Sequence, residues 1–155
     1  MSYDTMDFQL FDPIEAGEEW AIDIGSRHKV VRIILNGMDF LDIVRPIEQP
    51  YKKEEGLDLD GEDYGHISAA DLYGDLKLAT DPIYGDRVYL CCCGSCGEPG
   101  CWGITMQVKE EDDAIIWYDF EHEHRDWEYN LLFRFDKSEY NTALKRLSNM
   151  AAHSK

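Results

Sequence analysis

All five cysteines of the chain fall between positions 91 and 101, inside the stretch LCCCGSCGEPGCWG. Thiolates bind zinc and attack disulfides, so this crowding calls for one of those chemistries. Cys93 and Cys96 are separated by two residues, and Gly97 follows. That is the arrangement of a zinc-knuckle turn. Both sulfurs must reach one point ~2.3 Å away. Glycine supplies the positive φ of the tight turn, and the turn amides donate toward the thiolates. Glu98-Pro99-Gly100 reads as a turn that brings back Cys101 as the third ligand. A closed structural site wants four ligands, and the chain has no second CxxC. The fourth is expected from FEHEHRDWEY, which carries His122 and His124, with His124 preferred. The predicted metal set is therefore Cys93, Cys96, Cys101 and His124, holding zinc. The competing account leaves the thiols without metal and makes the two histidines hydrogen-bonded core or edge residues.

Not all three consecutive thiols can serve one site, because successive side chains on a strand point to opposite faces. Cys91 and Cys92 read instead as small buried hydrophobes. A redox role fits less well. A thioredoxin-type thiol sits at a helix N-terminus, and Gly-Glu-Pro-Gly does not start a helix readily.

A second metal pattern overlaps the first. His122, His124 and Glu128 fit H-x-H-x3-E, the spacing of the first cupin motif, in which two imidazoles and a carboxylate hold a metal. The bracketing glycines of that motif are missing, and the only later histidine is His153 on the tail. A metal-dependent enzyme built on these three residues is the alternative reading. Nothing else looks catalytic: there is no G-x-S-x-G elbow, no P-loop and no G-x-G-x-x-G. Asp58, Asp60, Glu62 and Asp63 suggest calcium, but the sixth loop position is Asp63 where glycine is needed, and the twelfth is Ala69 where glutamate is needed. Trp102, Trp117, Trp127 and Tyr129 read as packing aromatics.

These groups need elements to carry them. In VVRIIL, residues 30–35, Val31, Ile33 and Leu35 share one face, and Asn36-Gly37 follows as a hairpin-turn signal. MDFLDIV suits a short helix or a second hairpin strand. Pro46 is expected to end it, because the residue before a proline is driven out of the α region. Residues 49–65, QPYKKEEGLDLDGEDYG, read as an acidic loop. Ser68 with Asp71 three residues on resembles a capping box and opens a short helix, with Gly74 to close it. DRVYLCCC, CWGITMQVK, DAIIWYDFEHEH and YNLLFRF read as strands, the middle two joined through the acidic turn EEDD. In that register His122 and His124 share the core-facing side with Ile116, Tyr118 and Phe120. A C-terminal helix is predicted over about 137–152. Asp136 caps it, and its stripe of Tyr140, Ala143, Leu144, Leu147 and Ala151 must cover a sheet face. Runs of strands with helices grouped apart give an α+β fold: a mostly antiparallel sheet, the C-terminal helix packed on it, and one or two short helices. Residues 1–155 are expected to form a single domain.

Composition narrows the role. The 15 Lys and Arg stand against 32 Asp and Glu, a net charge of −17 over 155 residues. Such a field repels phosphate backbones and favours basic partners, so nucleic-acid binding is not expected. No apolar run approaches the ~20 residues of a membrane span, and the opening MSYDTMDFQLFDP has no secretory pattern. A reducing cytoplasm is the expected setting, where clustered thiols bind metal or do redox work more often than they form structural disulfides.

The segment CGEPGCW, then FEHEHRDWEY, preceded by IILNGMDFLDIVRPIE, resembles a family of small acidic bacterial proteins of unknown function. That family carries C-G-E-x-G-C-W followed by H-R-x-W-x-Y, and the likeness runs from about Val30 to Leu147. It implies a one-domain bacterial cytoplasmic protein and no particular activity. Cys96, Cys101 and His124 sit in the matching segments. The family pattern C-x-C-G-E places its first thiol where this chain has Gly94, so Cys93 would serve in its stead. The function expected is that of a non-enzymatic domain with a structural zinc knuckle that binds a basic protein, as an immunity protein binds a toxin.

Overall fold

A computed structural model of the chain describes residues 3–24, 29–57, 64–79, 81, 83, 87–94, 97–98 and 102–152. The first unit is a meander. Strand β1 (Met6–Phe11) is followed by the short helix α1 (Glu19–Ile24) and then by β2 (Val30–Leu35), which pairs antiparallel with β1 from Met6↔Leu35 to Phe11↔Val30. Asn36 and Gly37 take φ values of 53° and 82°. Positive φ at both central residues is what a two-residue hairpin turn requires, and it returns the chain into β3 (Met38–Asp39).

Helix α2 (Phe40–Glu55) follows at once, its first turn capped by the Asp39 carboxylate, which accepts from Leu41 N–H at 2.9 Å. It runs through Pro46 and Pro50 and ends at Gly56, in the left-handed region at φ 74°. The expected stop at Pro46 is therefore corrected, and residues 49–55 of the expected acidic loop are helical. Each internal proline costs about 3 kcal/mol. Against this, Phe40, Leu41 and Val44 are buried before the prolines, and Glu48 and Lys52 beyond Pro46. Each buried large apolar side chain contributes ~1.5–3 kcal/mol, and beyond Pro46 the apolar side of the helix continues with Ile47 and Tyr51, which pack partly buried against the core. Residues 58–63 of the expected loop lie outside the described residues.

Strand β4 (Tyr64–Gly65) leads into α3 (Ala69–Leu78), whose N-cap Ser68 accepts from Asp71 N–H at 3.2 Å, as the capping pattern required. Gly74 does not close α3. Leu72 and Leu76, both buried, hold a common stripe across it, and a mid-helix glycine costs only about 1 kcal/mol. The expected strand DRVYLCCC divides into β5 (Val88–Tyr89) and β6 (Cys92–Cys93), which join different sheets. Then come β7 (Ile104–Glu110), β8 (Ala114–His122), β9 (Phe133–Asp136) and α4 (Lys137–Ala152).

The sheets are β1-β2-β3, β4-β6 and β5-β7-β8-β9, every pairing antiparallel. The Asp136 carboxylate accepts from Glu139 N–H at 3.0 Å and starts α4 where predicted. Tyr140, Ala143 and Leu147 are buried, and Trp117 Nε1–H of β8 donates to the Tyr140 hydroxyl at 3.2 Å. The C-terminal helix thus packs on the sheet and also contacts α3 and β1. The fold is α+β. No helix among the described residues is long and apolar enough to cross a membrane.

Candidate functional site

Leu90 N–H donates to Ile104 O at 2.9 Å, just beyond the β5–β7 pairs Tyr89↔Thr105 and Val88↔Met106. That bond closes the base of the connection holding every cysteine. On the other side of β7, Ile104 pairs with His122, and Glu123 N–H donates to Gly103 O at 2.9 Å. The thiol connection and the histidine segment therefore leave the sheet at the same end.

Within that connection Cys91, Cys92 and Cys93 are all buried. Burial pushes the Cys91 thiol well above its ordinary value, so it stays protonated and inert. Cys92 Sγ donates to His66 O. Cys91 and Cys92 join the apolar core, as small hydrophobes should. Cys93 opens a turn in which its carbonyl accepts from Gly97 N–H at 2.9 Å and its N–H donates to Glu98 O at 3.2 Å. Gly97 takes φ 78° and packs on Trp20, where a Cβ would lie 2.8 Å from Trp20 Cε3. Cys96 and Cys101 lie outside the described residues. His124 is exposed in the turn after β8.

The structure corrects the register of β8. Asp119 takes φ 55°, and the β7–β8 pairing shifts between Thr105 and Gln107. This bulge reverses the parity of the strand. Ile115 and Trp117 are buried before it, Phe120 and His122 after it, while Asp119 and Glu121 face out. His122 thus shares its face with Trp117 and Phe120 rather than with Ile116 and Tyr118, and His124 is not on that face. His122, His124 and Glu128 do not converge: among the described residues no group of three or more His, Cys, Asp or Glu side chains could hold a metal ion.

His122 is instead an interior residue, 4% exposed. Its ring lies 4.2 Å from that of Trp102 in an edge arrangement and 4.9 Å from that of Trp127. Nδ1 accepts from His124 N–H at 3.0 Å. Burial first, then the nearby cations Arg125, His124 and Lys52, push its pKa down to about 4, so the ring is neutral.

Helix α2 presents one face to the segment beyond β8 through Glu48, Tyr51, Lys52 and Glu55, spaced as neighbours on a helix. The Glu48 carboxylate is fully buried and accepts from both the Tyr64 and the Tyr129 hydroxyls on the same oxygen. Burial and the adjacent Glu48 hold both phenols protonated, well above the tyrosine norm. Tyr51 stacks on Trp127 at 5.8 Å, and Trp127 Nε1–H donates to Glu55 Oε2 at 2.6 Å. Arg125 pairs with Glu55 at 2.9 Å and lies over the Trp102 ring. The sequence reading missed this face, because two of its members are charged residues buried in a helix it had ended early.

A second polar cluster ties the meander to this end of the molecule. His66 Nδ1 lies 3.1 Å from Glu18 Oε1, Nε2 lies 3.6 Å from Asp39 Oδ2, and Arg32 also pairs with Asp39. Burial alone would lower the His66 pKa, but its hydrogen bonds and charge pairing with Asp39 and Glu18 raise it above the usual histidine value.

Outside the helix-facing side, the segment 119–131 walls an open cleft of ≈ 560 Å³. Trp127, Tyr129 and His122 line it together with Asp126 and Glu128. The last two are exposed and have no cationic partner among the described residues. Comparison with family models, with curated proteins and with solved structures finds no match. Fold and site together define a class only: an α+β domain with an acidic, aromatic-walled cleft at the end of its four-stranded sheet.

Proposed function

We propose that this chain is a non-enzymatic binding domain that docks a basic protein in the cleft beside Trp127, with a zinc ion stapling the thiol turn behind it. The observation that carries the reading is the cleft itself. Two unneutralised carboxylates, Asp126 and Glu128, stand beside the aromatic rings of Trp127 and Tyr129. A Lys or Arg side chain gains from both, by charge and by cation–π contact. The net charge of −17 extends the attraction to long range and opposes phosphate backbones. Neutralising a basic toxin, as an immunity protein does, is the biological form this takes, in the cytoplasm of a bacterium.

Zinc belongs to the same proposal. The Cys93 turn has its glycine at positive φ, and Glu123, one residue before His124 in the chain, donates its N–H to Gly103 O, two residues after Cys101. Cys93, Cys96, Cys101 and His124 would hold the ion, and its binding energy would contribute to folding.

The test is a calorimetric titration with oligolysine at low and high salt, using two charge-matched variants. Asp126→Asn/Glu128→Gln should lose most of the binding, and Asp112→Asn/Asp113→Asn, at the exposed β7–β8 turn, should lose little. Equal losses would reduce the effect to net charge and sink the cleft as a docking site.

A further inference from the structure

We infer that His122, which lines the cleft, and Trp102, whose ring it touches, form a carboxylate-binding site, so that the ligand it takes is a Lys or Arg residue with a free α-carboxylate. This rests on the docking reading above and names the group that reading leaves open. Because His122 Nδ1 accepts the His124 amide, the ring proton is on Nε2. That Nε2–H is buried and has no hydrogen-bond partner among the described residues, and His122, 4% exposed, lines the cleft. Trp102 Nε1–H, on the ring in contact with His122, is also buried without an acceptor among the described residues. Folded proteins leave few such donors unmet, and these two belong to rings in contact.

Both groups can only donate, so what they lack is acceptor oxygen. The Arg125 guanidinium lies over the Trp102 ring, with its Cζ 5.2 Å from the centroid, and gives this site a positive charge despite its pairing with Glu55. A carboxylate offers two oxygens to two donors and one negative charge to that cation. The rim has the opposite preference, since Asp126 and Glu128 call for a cation. One ligand meets both demands when it carries a carboxylate and an ammonium or guanidinium a side chain apart. Phosphate meets only the first demand and is repelled by the rim. A lysine inside a chain meets only the second. Capture of a chain terminus through its carboxylate is an established recognition mode.

Two sources share this chemistry: the carboxyl end of a basic protein and the free basic amino acid. The experiment uses the full chain and three probes: Gly-Gly-Lys with a free carboxylate, the same peptide amidated, and L-lysine. The expected result is that amidation weakens binding at least tenfold. Trp102→Phe and His122→Phe should weaken the free acid and leave the amide unchanged. In the wild-type protein, the Trp102 Nε1–H and His122 Nε2–H proton resonances should move downfield on adding the free acid. L-lysine matching the free acid assigns the free amino acid as the source; tighter binding of the peptide assigns a protein terminus. If amidated and free peptides bind equally, or neither N–H resonance moves, the carboxylate site is wrong. Oligolysine binding sensitive to Asp126 and Glu128 would then still leave the docking reading standing, whereas its loss would remove both.

Discussion

The Tyr129 hydroxyl donates to the Glu48 carboxylate at 2.5 Å, across 81 residues of chain. The Tyr64 hydroxyl reaches the same oxygen, so one buried carboxylate joins α2, β4 and the segment beyond β8. Each partner makes the others tolerable: a buried carboxyl group without donors is costly, and the phenols would lack an acceptor.

Removing one phenol should therefore cost less than removing the acid. Tyr129→Phe is expected to lower stability by about 1–2 kcal/mol, and Glu48→Ala by about 3–5 kcal/mol, since it strands two buried hydroxyls. Urea denaturation monitored by tryptophan fluorescence gives both values. In a double-mutant cycle, Tyr64→Phe and Tyr129→Phe should be non-additive by more than ~0.5 kcal/mol. Strict additivity would show that the shared oxygen couples nothing.

The His66 cluster predicts a pH slope. Its folded pKa is raised, because its hydrogen bonds and charge pairing with Asp39 and Glu18 outweigh burial; Arg32 also pairs with Asp39. The stabilisation is fully present below the unfolded value near ~6.5 and is lost as pH rises through the folded value. His66→Gln should flatten stability against pH on the alkaline side of ~6.5 and lower it most at mildly acidic pH. A His66→Gln profile parallel to the wild type would remove His66 as the source of the slope.

Trp20 is wedged against two glycines. A Cβ at Gly97 would come within 2.8 Å of Trp20 Cε3, and one at Gly65 within 2.5 Å of Trp20 Nε1. Gly97 also needs its positive φ. Gly97→Ala should cost about 1–3 kcal/mol, and Gly65→Ala a comparable amount from crowding alone. Replacing Trp20 with Leu should relieve most of the Gly65→Ala cost and only part of the Gly97→Ala cost, because the backbone strain remains. Thermal melts of the three single and two double variants would show it.

Zinc, in the proposed staple, should be stoichiometric in protein purified without a metal-affinity resin. It should be lost in Cys96→Ser and retained in Glu128→Ala, and chelation should lower the Tm. Elemental analysis that finds no zinc, or finds iron, manganese or nickel dependent on Glu128, would refute the staple.

Much of the frame was legible residue by residue. Asn36-Gly37, Ser68 with Asp71, and Asp136 with Glu139 each act through backbone atoms within a few positions of themselves, so their turn and caps followed from local chemistry. The helical stripe of α4 was equally plain, because a repeat of three and four needs no partner to be seen. The α+β class followed from the order of such elements. The candidate site was legible in part. Its location at FEHEHRDWEY and beside the thiol connection was marked by residue type, but the direction each side chain takes was not.

Three features lay beyond any local window, for one reason: each is decided by energy from groups distant in the chain. Helix α2 crosses Pro46 and Pro50 because what it packs against outweighs the prolines. The bulge at Asp119 puts His122 on the face of Trp117 because two residues of β8 must meet one of β7, and parity counted along a single strand cannot register that. Glu48 is buried because Tyr64 and Tyr129 come from elsewhere to meet it. Residue types and short spacings determined which groups this protein has to work with. Packing between remote segments determined which of them face each other, since burial, charge and hydrogen bonding are settled only when the partners arrive.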